Sequence, residues 1–173
     1  MSLTLYITVI TVAISLIAMY NEALMEKLIF HPYTVHHDNE WYRFISSGFI
    51  HADFMHLAFN MFSFYMFGDY VEQYFNMIFG SLGNTLYILL YVSSLIVCLV
   101  PTYLNHFKQY NYNSLGASGA VSAIVFVGIF LKPTLQIGFF IIPLGVVWLY
   151  SFGRNIGLMQ HICCSIVISA ETR

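Results

Sequence analysis

Charge is what this chain has least of. Only 8% of its 173 residues are Asp, Glu, Lys or Arg, against about 25% in an ordinary soluble domain. Six basic residues set against eight acidic ones leave a net charge of −2. That balance argues against a nucleic-acid partner, whose phosphates need many cations to neutralise them. Cysteine is nearly as scarce. Cys98, Cys163 and Cys164 all lie in apolar runs, where they read as small core residues. The neighbours Cys163 and Cys164 cannot easily bridge each other, and no metal-type cysteine spacing occurs, so neither a disulfide framework nor a metal site is expected.

Apolar side chains fill the space instead. The chain is 59% hydrophobic with a mean hydropathy of +0.74, which makes lipid its solvent. A spanning helix needs about 20 mainly apolar residues, and six stretches approach that. They are Leu3 to Tyr20, Phe54 to Phe67, 84–104 (ended by Pro101 or soon after), 115–131, Leu135 to Phe152 and the shorter Asn155 to Ala170. The first lacks a basic leader and a small-residue cleavage site, so it reads as a retained helix. Residues 21–52 form a long connection, and Asn105 to Asn113 a polar loop. The expected fold is all-α: a polytopic membrane protein of six transmembrane helices, residues 1–173 forming one membrane domain with no room for a soluble one. Most of the 16 Phe and 13 Tyr then belong to lipid-facing or interfacial packing.

Two polar motifs interrupt this apolar background. In Asn113-Ser114-Leu115-Gly116-Ala117-Ser118-Gly119-Ala120 a serine sits between two glycines where a helix begins. Backbone N–H groups there lack intrahelical partners, and the positive end of the helix dipole favours developing negative charge. Gly116 and Gly119 would let another backbone come close. A small-residue packing seam between helices fits the same stretch. The second motif is His56-Leu57-Ala58-Phe59-Asn60, whose spacing puts His56 and Asn60 on one helix face. Polar groups inside a membrane mark functional pathways. An imidazole N–H and an amide NH₂ can both aim at a carbonyl oxygen that becomes negative, although an interhelical hydrogen-bonded pair or the lining of a small transporter or channel would also use them.

The run from Trp41 through Phe49, His51, His56 and Asn60 to Met61, continued by Gly68 and Glu72, resembles the approach to the second helix of the rhomboid intramembrane serine proteases. Gly116-Ala117-Ser118-Gly119-Ala120 is similar to that family's nucleophile motif. The resemblance implies a six-helix bundle around a water-filled cavity, cleaving transmembrane protein substrates in the lipid bilayer without cofactor or metal. It makes Ser118 the nucleophile, and it assigns the oxyanion to His56, Asn60 and the backbone N–H of Ser118. Trp41 and Arg43 would belong to an amphipathic first loop, Glu72 would hold that loop, and His51 would support the second helix. The protein would be an integral, multi-pass membrane protein, of the plasma or inner membrane in a bacterium.

The base is where this sequence departs from the family pattern. The sixth helix of the family carries a histidine followed by spaced glycines. Here the candidate is His161, with Cys164 and Ile168 in the glycine positions, and bulky Ile168 would hold helices apart. A slip of reading frame after Gly157 is one account: a single inserted A in the Leu158 codon can turn the following run into Gly-His-Tyr-Ala-Ala-His. On either account residues 158–173 diverge, and an impaired Ser118–His161 dyad is expected, so that a pseudoprotease which binds client helices is the rival reading. The histidines at 31, 36 and 37 read as solvated loop residues rather than metal ligands. The few charges orient the chain weakly. Lys27, Arg43, Lys108 and Arg154 would draw the first loop into the cytoplasm, whereas the resemblance places the amino terminus there.

Overall fold

A computed structural model describes residues 2–131, and all of their regular structure is helical. The expected fifth and sixth spans, His161 and residues 158–173 lie outside the described residues. Seven α-helices are present in the described part: α1 (Leu3–Met19), α2 (Glu22–Leu28), α3 (Pro32–His37), α4 (Arg43–Ser46), α5 (Phe54–Phe79), α6 (Gly83–His106) and α7 (Ser118–Leu131). One helical stretch, Phe54–His106, is long and apolar enough to cross a membrane, while Leu3–Met19 and Ser118–Leu131 are shorter apolar helices.

Side-chain caps start four of the helices. Ser2, Asn21 and Asp53 cap α1, α2 and α5 by accepting the N–H of Leu5, Leu24 and His56. Such caps satisfy donors that the first turn leaves orphaned. His31 caps α3, and Pro32 supplies its first helical residue, where a missing N–H costs nothing.

The helix α5 is the centre of the fold. Its buried residues Leu57, Met61, Phe64, Phe67 and Val71 recur every three or four positions, which makes one continuous stripe. Tyr87, Tyr91 and Leu95 of α6 and Ala117, Ala120, Val121 and Ile124 at the start of α7 complete that core. A short turn at Gly80–Leu82 folds α6 back along α5. There a Cβ on Gly83 would meet the Asn76 backbone at 2.5 Å, so the turn has no room for a larger residue. The outward faces stay apolar and exposed, as at Phe59, Phe62, Val97 and Leu104, which suits lipid and not water.

Two sequence expectations change. Residues 21–52 are not a plain connection but carry α2, α3, α4 and a short helical turn at Ser47–Phe49. The second span continues twelve residues past Phe67, to Phe79, because Val71 and Glu72 still have buried partners. The third, Gly83–His106, matches the expected 84–104 to within two residues and runs through Pro101. An interior proline costs a helix about 3 kcal/mol, but the turn beyond it is held by tertiary packing. Tyr103 lies against Trp41, Phe44 and Phe107 with ring centroids within 6 Å, and its hydroxyl pairs with His36 Nδ1 at 2.9 Å.

Candidate active site

Ser118 is the first residue of α7 and is half-buried. The segment leading to it is tied to the first loop at two places. Phe30 and Ser114 exchange both backbone N–H···O bonds at 2.9 Å, and the Gly116 N–H donates to the Ser47 carbonyl at 3.0 Å. Gly116 has φ +105°, a left-handed backbone that glycine adopts without strain.

That loop rests on His56. A Cβ added at Gly116 would lie 3.3 Å from His56 Cε1 and 3.8 Å from Nε2. One turn further, a Cβ added at Gly119 would lie 2.6 Å from Cys98 Cβ and 2.7 Å from its Sγ. The glycines on either side of Ser118 thus face His56 of α5 and Cys98 of α6. Cys98 is exposed rather than a core residue, and its contact with α7 is at this seam.

His56 and Asn60 share one face of α5, both half-buried. The Asn60 amide donates to the His56 carbonyl at 2.9 Å, so its NH₂ is engaged along its own helix. His51 is fully buried just before α5. Its ring stands edge-on to that of His56, with centroids 5.2 Å apart, and its Nδ1 lies 2.9 Å from Ser15 Oγ on α1. Burial, with the His56 charge as a smaller cause and Asp53 opposing, pushes the His51 pKa down to about 4. At neutral pH this imidazole is therefore uncharged.

Trp41 is half-exposed and stacks on Phe44, as an amphipathic interfacial loop requires. Arg43 is buried. Its Nη1 donates to the carbonyls of Glu26 and Ile29 at 2.7 Å, and its Nε pairs with Glu40. The same guanidinium holds the Glu40 carboxyl below its usual range. These groups wall a cleft of about 690 Å³ between the first loop and Tyr110–Asn113, lined by neither Ser118 nor His56. Glu72 does not hold the first loop. Its carboxylate accepts from Leu3 N, Thr4 N and Thr4 Oγ1 at 2.7–2.8 Å, because the orphan N–H groups and positive dipole of α1 attract a buried carboxylate.

Two of the loop histidines also carry hydrogen bonds. His31 Nε2 bonds the Tyr110 carbonyl and His36 Nδ1 the Tyr103 hydroxyl. Reading the sequence also missed Ser15 and Thr4. Their signal is a polar stripe, Thr4, Thr11 and Ser15, all fully buried on one side of an otherwise apolar α1. Among the described residues no group of His, Cys, Asp and Glu is arranged to hold a metal ion.

The described fold is a helical core with a serine at a helix N-terminus, two residues after a glycine that lies against a histidine of a long apolar hairpin. The Rhomboid domain family matches residues 38–168 of the chain. The chain therefore belongs to the rhomboid family, and it is an integral membrane protein. No curated protein matches it.

Proposed function

We propose that the chain is a single six-helix rhomboid domain built to hydrolyse peptide bonds of transmembrane protein substrates. The observation that carries this reading is the contact of Gly116 with His56, which seats the loop before Ser118 against the first of two polar residues on α5. In the proposed reaction Ser118 Oγ attacks the scissile carbonyl and passes its proton to His161. The oxyanion is met by His56, Asn60 and the Ser118 N–H. The intermediate then collapses, the C–N bond breaks, and the leaving amine takes the proton from His161. Water, activated by the same base, releases the acyl group from Ser118. The bond from Asn60 to the His56 carbonyl uses one of its two amide N–H groups, which leaves the second to serve as a donor.

A frame slip after Gly157 would put His161 one position from the expected base, and on an α-helix one position turns a side chain by about 100°. The chain as written therefore carries nucleophile and oxyanion donors with an impaired dyad. Fluorophosphonate labelling tests both parts. A version ending in the Gly-His-Tyr-Ala-Ala-His reading, with glycines after it, is expected to label in a manner lost on Ser118→Ala, and the present chain to label far less. If neither version labels, the protease reading fails. Cleavage by the present chain that is abolished by His161→Ala would show its dyad to be intact.

A further inference from the structure

Ser15 Oγ lies 2.9 Å from the Phe49 carbonyl and 2.9 Å from His51 Nδ1. A hydroxyl has one proton, and a carbonyl can only accept, so that proton goes to Phe49. The contact with His51 is then a bond in which the imidazole donates, which puts the His51 proton on Nδ1. Its Nε2 is left as a bare lone pair, buried and without a partner among the described residues. A buried acceptor left unmade is costly, so something must be gained from holding the ring this way. The neighbour across it is His56, whose ring plane lies at 80° to that of His51.

We propose that Ser15, on the first helix, is a positioning residue for the oxyanion donors: it takes the Nδ1–H of His51 and so fixes the ring on which His56 rests. The proposal relies on the oxyanion role given to His56 above. Ser15 touches no substrate and acts through two imidazoles in series. The His51 ring stays neutral and cannot flip without losing its bond to Ser15. The same serine ties the Phe49 carbonyl to α1, which sets the position of the segment that leads into α5.

Nitrogen-15 NMR of the full chain in lipid nanodiscs, labelled at the histidine rings, tests this without any need for activity. In the wild type and in Ser15→Thr, which keeps the hydroxyl, His51 is expected to be protonated on Nδ1. In Ser15→Ala it becomes a mixture of tautomers, and the ring signals of His56 move. Finding His51 protonated on Nε2 in the wild type, or His56 signals unmoved in Ser15→Ala, would overturn the proposal. In an active, tail-restored form, Ser15→Ala should lower kcat about tenfold with KM within about twofold, short of the ~10²–10³-fold of losing a donor outright. Ser15→Thr should restore it. A kcat unchanged in Ser15→Ala would also overturn the proposal. If the tautomers behave as expected while Ser118 never labels, the protease reading fails and the positioning of His56 by Ser15 stands.

Discussion

The backbone N–H of Gly116 donates to the carbonyl of Ser47, and this bond makes the serine loop dependent on the first loop. Ser47 sits in the helical turn just after α4, and Arg43 of α4 is itself anchored to the carbonyls of Glu26 and Ile29. A chain of short contacts thus runs from α2 to the residue two before Ser118. Gly116 can complete it because its φ of +105° is open to glycine. Alanine there would take on a strained backbone and a methyl 3.3 Å from His56 Cε1. Gly116→Ala is expected to cost about 1–3 kcal/mol in thermal unfolding and to abolish labelling of Ser118 in a tail-restored form. A variant as stable and as reactive as the parent would show that the left-handed turn is dispensable.

Much of this was legible beforehand, because lipid imposes simple rules. Long apolar runs announced the helices at Leu3, Phe54 and Ser118, and polar residues stood out as exceptions within them. The spacing of His56 and Asn60 placed them on one face, and that is how α5 presents them. What could not be read was anything decided by partners distant in sequence. Nothing near Glu72 points to Leu3 and Thr4, 68 or more positions away. The aromatic packing of Tyr103 that holds the turn beyond Pro101 is likewise invisible from local pattern. The bond of His36 to Tyr103 could not be read either, because its partner lies 67 residues on.

Acid should loosen the site through His51. Its folded pKa is about 4 against an ordinary 6.5, so between these values the unfolded chain binds a proton that the folded chain refuses. Stability from this group is complete above about pH 6.5 and is lost as pH falls towards 4, by up to about 3 kcal/mol. His51→Phe keeps the ring volume but cannot titrate. Unfolding midpoints of the two proteins should therefore converge as pH falls through that window. Parallel curves would contradict the assignment.

Glu72 gives a test of how α1 is held. Three donors of α1 converge on its carboxylate, and Thr4 Oγ1 is also 2.8 Å from the Tyr87 hydroxyl. Glu72→Ala strands buried N–H groups as well as removing charge-assisted bonds, so a loss of about 3–5 kcal/mol is expected. Glu72→Gln keeps one acceptor oxygen and should lose less. Limited proteolysis should find the start of α1 newly accessible in the alanine variant. Protection equal to that of the parent would mean that α1 is held by packing alone.

The close approach of Gly119 to Cys98 supports a test of the seam beside the serine. A methyl on Gly119 would fall 2.6 Å from Cys98 Cβ and 2.7 Å from Sγ, nearer than real side-chain carbons come. Gly119→Ala must push α7 from α6, and overpacking of this kind costs about 1–3 kcal/mol. The clash involves Cβ itself, so shortening the cysteine to alanine removes the sulfur and leaves the nearer contact. Cys98→Ala should therefore rescue Gly119→Ala only slightly. Cys98→Gly should rescue it well, after allowance for the ~1 kcal/mol that glycine costs inside a helix. The coupling energy from the double-mutant cycle is expected to be about 1–2 kcal/mol for the glycine pair and near zero for the alanine pair. Equal rescue by both would place the contact at the sulfur, and no rescue by either would mean that α7 meets α6 elsewhere.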